Sequence, residues 1–215
     1  MNIIIKKVRL VAAPEPAFVG TRIGIKITEP YDGKYIFGIA NATIAKFDGI
    51  FIDWGDGTRE SPSDFAKLLH EYPGPGIYEV RMSDNFWAIL LSTAGTETYP
   101  GVLIGNEVRS LVSNAPLLTG FSRFGMRNLA NLEYVNLNGS SVNAIGSSVF
   151  SGCPSLKGDV YFQPVATIYA TSFKDSPLIT AFHFAAANEE VITSSEAYKT
   201  DPTFGTGSAI CLFDL

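Results

Sequence analysis

The chain has 215 residues, 46% of them hydrophobic and 17% charged, with a formal net charge of −5. That length suits one or two domains with substantial cores, and no apolar run approaches the ~20 residues of a membrane-spanning helix. Residues 1–84 hold ten basic and eleven acidic side chains and residues 85–215 six and ten, so no basic patch recommends nucleic acid or an anionic lipid surface as a partner.

Twenty glycines and twelve prolines, with nine tyrosines and fifteen phenylalanines, point to many short strands and tight turns. The opening MNIIIKKVRLVAA has charges inside its apolar stretch and does not read as a signal peptide. Ile3, Ile5 and Val8 begin an alternating run that suggests an edge strand. Thr21 to Thr28 alternates with Ile23, Ile25 and Ile27 on one face, and Lys34 to Ala40 is the next strand. In GIFIDWGDGT, Ile50, Ile52 and Trp54 face one way, and Phe51 and Asp53 the other. Gly55-Asp56-Gly57 then supplies a tight turn. Pro62 to Leu69 predicts a short helix. From Gly76 a strand sets Ile77, Glu79 and Arg81 against Tyr78, Val80 and Met82.

WGDGT at Trp54–Thr58, His70-x-Tyr72 and the run Pro75 to Val80 together resemble the signature of PKD domains, which are immunoglobulin-like β-sandwiches. The resemblance covers residues 1–84 and implies scaffold roles: Trp54 in the core, Asp56 bonding the turn, His70 and Tyr72 pinning the following strand. A calcium site at Asp53 and Asp56 is the metal alternative, since carboxylate oxygens suit that ion; otherwise no cofactor is expected.

Apolar Phe86 to Leu91 follows without a linker and is expected to be the first strand of a second unit, residues 85–215. That unit repeats. Val142 and Val165, Ile145 and Ile168, Phe150 and Phe173, and Pro154 and Pro177 recur at a spacing of 23, a period belonging to stacked repeats that share one core. Val108 and Leu111 align with Val142 and Ile145, and Leu132, Val135 and Leu137 form the clearest repeat strand. Cys153 occupies a slot filled by Ser176 in the next copy, which suggests a buried free thiol. The third copy drifts after Phe184, Glu189-Glu190 reads as a polar loop, and Ala209 to Leu215 adds a last strand. The Leu132–Leu156 unit resembles the BspA-like leucine-rich repeats of bacterial surface proteins. The expected fold is thus mostly β, a PKD-like antiparallel sandwich followed by a short leucine-rich-repeat solenoid.

No nucleophile elbow, phosphate loop or zinc motif is present, so the chain is expected not to be an enzyme. The resemblances imply an extracellular or cell-surface adhesion module that binds a host or surface protein or glycan. The alternative is a structural or host-recognition accessory of a phage or prophage tail. Alternation places Asn136, Tyr161 and His183 outward on successive repeat strands, with Tyr134 and Gln163 beside them. These five are the candidate ligand-binding residues. Oligomeric state leaves no trace in the pattern.

Overall fold

The computed structural model describes residues 18–30, 33–39, 41–63, 68–91, 107–121 and 125–214. The edge strand expected at Ile3–Val8 lies outside them. Among the described residues the first eight strands are β1 (Gly20–Ile27), β2 (Tyr35–Ile39), β3 (Asn41–Ile44), β4 (Ile52–Asp53), β5 (Arg59–Glu60), β6 (Leu68–Tyr72), β7 (Gly76–Ser83) and β8 (Phe86–Leu90). Then follow β9 (Val108–Ser113), β10 (Gly120–Phe121), β11 (Tyr134–Asn136), β12 (Ala144–Ile145), β13 (Lys157–Tyr161), β14 (Thr167–Ile168) and β15 (Leu178–Ala185). Two short helices, α1 (Glu189–Ser194) and α2 (Glu196–Thr200), precede β16 (Ile210–Asp214). The fold is mostly β, with sheets of mixed topology.

One sheet of nine strands dominates, in the order β16-β15-β13-β11-β9-β1-β7-β4-β5. From β9 to β16 every pairing is parallel, and from β9 through β1 and β7 to β5 every pairing is antiparallel. β9 is the joint. Three smaller sheets, β10-β8-β3, β12-β14 and β2-β6, add their buried side chains to the core beneath. That core is continuous, running from Ile23, Ile52 and Trp54 to Phe182 and Phe204. The alternation in β1 and β7 is as expected: Ile23, Ile25, Val80 and Met82 are fully buried while Arg22, Glu79 and Arg81 point outward. Each such large apolar side chain contributes roughly 1.5–3 kcal/mol on burial.

The 23-residue period is built into the backbone. Phe150 donates its N–H to the carbonyl of Ser172 and Gly152 to that of Lys174, at 2.9 and 2.7 Å, tying one copy to the next. Each turn needs one left-handed residue, supplied in successive copies by Asn128, Gly152 and Asp175, with φ of 59°, 71° and 63°. These are the residue types that bear that conformation best. The small slot also recurs. Ser176 Oγ donates to Phe150 O at 3.0 Å, and Cys153 Sγ to Met126 O at 3.2 Å, each one copy back, and both cysteines are free.

Four expectations are corrected. Leu68 and Leu69 open strand β6 rather than ending a helix, because they pair with Ile39 and Gly38; residues 64–67 lie outside the described set. Strand β8 does not begin the long ladder: it pairs antiparallel with β3 and parallel with β10, so the ladder's first strand is β9. Leu111 lies opposite Val135, so Val108 and Leu111 match Leu132 and Val135 rather than Val142 and Ile145. Glu189 and Glu190 begin α1, where carboxylates favour the helix dipole, and are not in a loop.

Residues 84 and 85 form only a turn between β7 and β8, and the β1–β9 and β3–β8 pairings both cross that point. Among the described residues no helix is long and apolar enough to cross a membrane.

Candidate functional site

Strand register decides which outward side chains meet. Asn136 lies opposite Tyr161, and Tyr161 opposite His183, while Val135, Val160 and Phe182 between them are fully buried. The expected column therefore forms. It is also longer than alternation within single strands could reveal. Beyond Asn136 the same row continues through Val112, Arg22, Arg81 and Asp53, and beyond His183 it ends at Leu212.

The groups in the repeat half of this row hold one another. Asn136 Nδ2 donates to Tyr134 Oη at 3.1 Å, and Asn136 Oδ1 accepts the N–H of Asn138 at 2.9 Å. The ring of Tyr161 stacks on His183. Gln163 falls just past the end of β13, its N–H bonded to Asn138 Oδ1 and its carbonyl to Asn188 Nδ2. Four of the five candidate residues thus line the outward face of the sheet, and the fifth flanks it at the strand end.

Sequence reasoning missed the carboxylates around His183. Its Nδ1 lies 2.7 Å from Asp214 Oδ2 and its Nε2 3.1 Å from Asp159 Oδ2, with Thr180 Oγ1 donating to Asp159 Oδ1 at 2.6 Å. The imidazole, whose side chain is only 14% exposed, ties β13, β15 and β16 together. Burial lowers its pKa, but the two carboxylates outweigh that and raise it above the ordinary imidazole value. The signal was available: Asp159 and Asp214 each stand two residues from a member of the row, and therefore on its face.

In the antiparallel half the WGDGT turn closes on a second histidine. Asp53 Oδ1 accepts the N–H of Gly55 at 2.9 Å, and Asp56 Oδ1 accepts the N–H of Thr58 at 3.0 Å and its hydroxyl at 2.6 Å. Asp56 Oδ2 lies 2.7 Å from His70 Nε2. His70 stacks on Trp54, centroids 4.9 Å apart, and Tyr72 Oη donates to Trp54 O at 3.0 Å. Burial pushes the Asp56 carboxyl up, yet the hydrogen bonds from Thr58 and His70 prevail and bring it down to about 2. This geometry is what a scaffold role requires. The two carboxylates considered for calcium each serve their own turn, and among the described residues no group of three or more His, Cys, Asp or Glu side chains is placed to hold a metal ion.

The chain matches no family model, and no curated protein or solved structure is significantly similar to it. What the arrangement can do is therefore argued from its chemistry. The outward face presents arginines at one end of a row and an amide, a phenol and an imidazole at the other, on a rigid sheet whose far side is core.

Proposed function

We propose that the chain is a non-catalytic binding module of a bacterial cell-surface or secreted protein, which recognises a protein or glycan through its repeat surface. In this reading the antiparallel half is a PKD-like, immunoglobulin-like sandwich. The parallel half is a short BspA-like leucine-rich-repeat solenoid grown from its edge. The turn cluster of Trp54, Asp56, His70 and Tyr72 supports the first part, and the recurring left-handed turn residues Asn128, Gly152 and Asp175 support the second.

The observation that carries the recognition reading is the register itself. Arg22, Asn136, Tyr161 and His183 share one outward row across strands that draw on most of the chain. Such a row offers donors, acceptors and ring edges at fixed ~4.8 Å intervals, and it is preorganised, which lowers the ordering cost of binding.

The test is a glycan array and a panel of immobilised host proteins, probed with the intact chain and with the double variant Asn136→Ala, Tyr161→Ala. This pair leaves the ion pairs of His183 intact. A ligand held by the parent and bound at least about tenfold more weakly by the folded variant supports the reading. Equal binding by both moves the site off this face, and no ligand in either panel refutes the module assignment.

A further inference from the structure

On the other side of the repeats, the short strands β10, β12 and β14 run side by side, and their C-terminal ends frame a cleft of about 400 Å³ lined by Phe121, Gly146, Ser147, Val149 and Tyr169. We infer that this cleft is a carbohydrate subsite that holds one pyranose ring against Tyr169.

The cleft comes from a break in the repeat. Gly146 and Tyr169 hold the same place in consecutive copies, each directly following the paired isoleucines Ile145 and Ile168. One copy supplies no side chain and the next a large ring, so a gap opens over Gly146 beside a wall made by Tyr169. Phe121, at the end of β10, also lines the cleft, its ring set edge-on to Phe150 at 5.7 Å. The buried side chain of Val149 makes the floor apolar.

The chemistry of the rim selects the ligand. Tyr169 is 50% exposed, and among the described residues its ring meets no other ring and its hydroxyl has no hydrogen-bond partner. The hydroxyl of Ser147 is likewise exposed and without a partner among them. An apolar floor and an open aromatic face bounded by two idle hydroxyls match a pyranose, which has an apolar C–H face and a hydroxylated edge. A proline ring would satisfy the floor and leave both hydroxyls unused. Volumes of this size are ordinary for small-ligand sites.

The inference rests on the reading of the chain as a recognition module but uses a different surface from the strand-face row. Gly146 offers a clean test. Among the described residues a Cβ there would meet only Val149 Cγ2, at 3.6 Å, so a larger side chain fills the cleft without disturbing the backbone. Methyl glycosides of glucose, galactose, mannose and N-acetylglucosamine are titrated into the intact chain by saturation-transfer NMR. The parent is expected to bind at least one of them. Gly146→Leu and Tyr169→Ala, both with unchanged melting temperatures, are expected to weaken it about tenfold or more, the upper range for one aromatic contact. The strand-face variant Asn136→Ala, Tyr161→Ala should bind these sugars like the parent, which keeps failure of one site distinct from failure of the other. Absence of binding to all four glycosides, or equal binding by folded Gly146→Leu, overturns the assignment; binding of a prolyl peptide in their place identifies a different occupant and also overturns it.

Discussion

The ring of Tyr161 lies 4.6 Å from that of His183, the two planes 20° from parallel. That distance is close to the separation of neighbouring strands, so both rings stand upright on the sheet with their faces turned along the row. A ligand approaching from above meets the phenol hydroxyl and ring edges, not an aromatic platform. Stacking of this kind also stabilises the neighbouring strands, and it favours a cationic imidazole.

The first prediction follows from that cation. Burial opposes protonation of His183, but Asp214 and Asp159 prevail and raise its pKa in the fold. A raised value means that its stabilisation is fully present below the unfolded imidazole pKa of ~6.5 and is lost as pH rises through the higher folded value. Titration of the ring proton by NMR should show this elevated midpoint, and Asp214→Asn should bring it down. A midpoint at or below the ordinary value would falsify the ion-pair account.

Asp56 has the opposite sign. Its carboxyl sits at about 2 in place of 3.8, so its contribution is present above pH ~4 and lost as pH falls towards 2. Asp56→Ala should cost on the order of 1–3 kcal/mol at neutral pH, because Thr58 and the half-buried His70 lose their charged acceptor. The gap between mutant and parent should close in acid. Chemical denaturation across that window measures it, and an unchanged gap at pH 2 would rule out the assigned role.

The two glycines of the WGDGT turn should differ. Both have positive φ, 81° at Gly55 and 95° at Gly57, but a Cβ at Gly55 would fall 2.6 Å from the carbonyl oxygen of Glu79, on the backbone of β7, whereas Gly57 faces open space. Gly57→Ala should cost about 1–2 kcal/mol from conformation alone, and Gly55→Ala distinctly more. Thermal melts of the pair decide it; equal losses would mean that β7 yields easily.

Cys153 should be inert in the folded chain. Burial pushes its thiol up to about 12, so almost no thiolate exists to react. A thiol reagent should label it only under denaturing conditions. Cys153→Ser should retain folding with a change under about 1 kcal/mol, since Ser176 already makes the same bond to a carbonyl one copy back. Rapid labelling of native protein would contradict this burial.

How much of this was legible depended on range. Period-two alternation in β1 and β7 and the 23-residue recurrence are local patterns, and both translate directly into buried faces and ladder register. The pairing of β1 with β9 is not local. Thr21 bonds Ser113 Oγ to Oγ at 2.9 Å across 92 residues, and neither side chain announces the other. The helices of the third copy were hidden for another reason. Ile192 is buried like a repeat residue, and the helical cue is the short-range bond in which Ser195 Oγ accepts the N–H of Tyr198. The cleft at Tyr169 was visible only as a substitution for glycine, and its depth required knowing that Gly146 stands beside it.

Because β9 is antiparallel to β1 and parallel to β11, it divides the sheet into a fixed base and an extensible arm. A further 23-residue copy inserted after β13 would shift β15 and β16 outward by one ladder step of ~4.8 Å and leave every contact on the β1 side untouched. The same joint therefore serves as the origin of a molecular ruler: descendants of this chain can change reach in whole-copy increments, without rebuilding the base from which reach is measured.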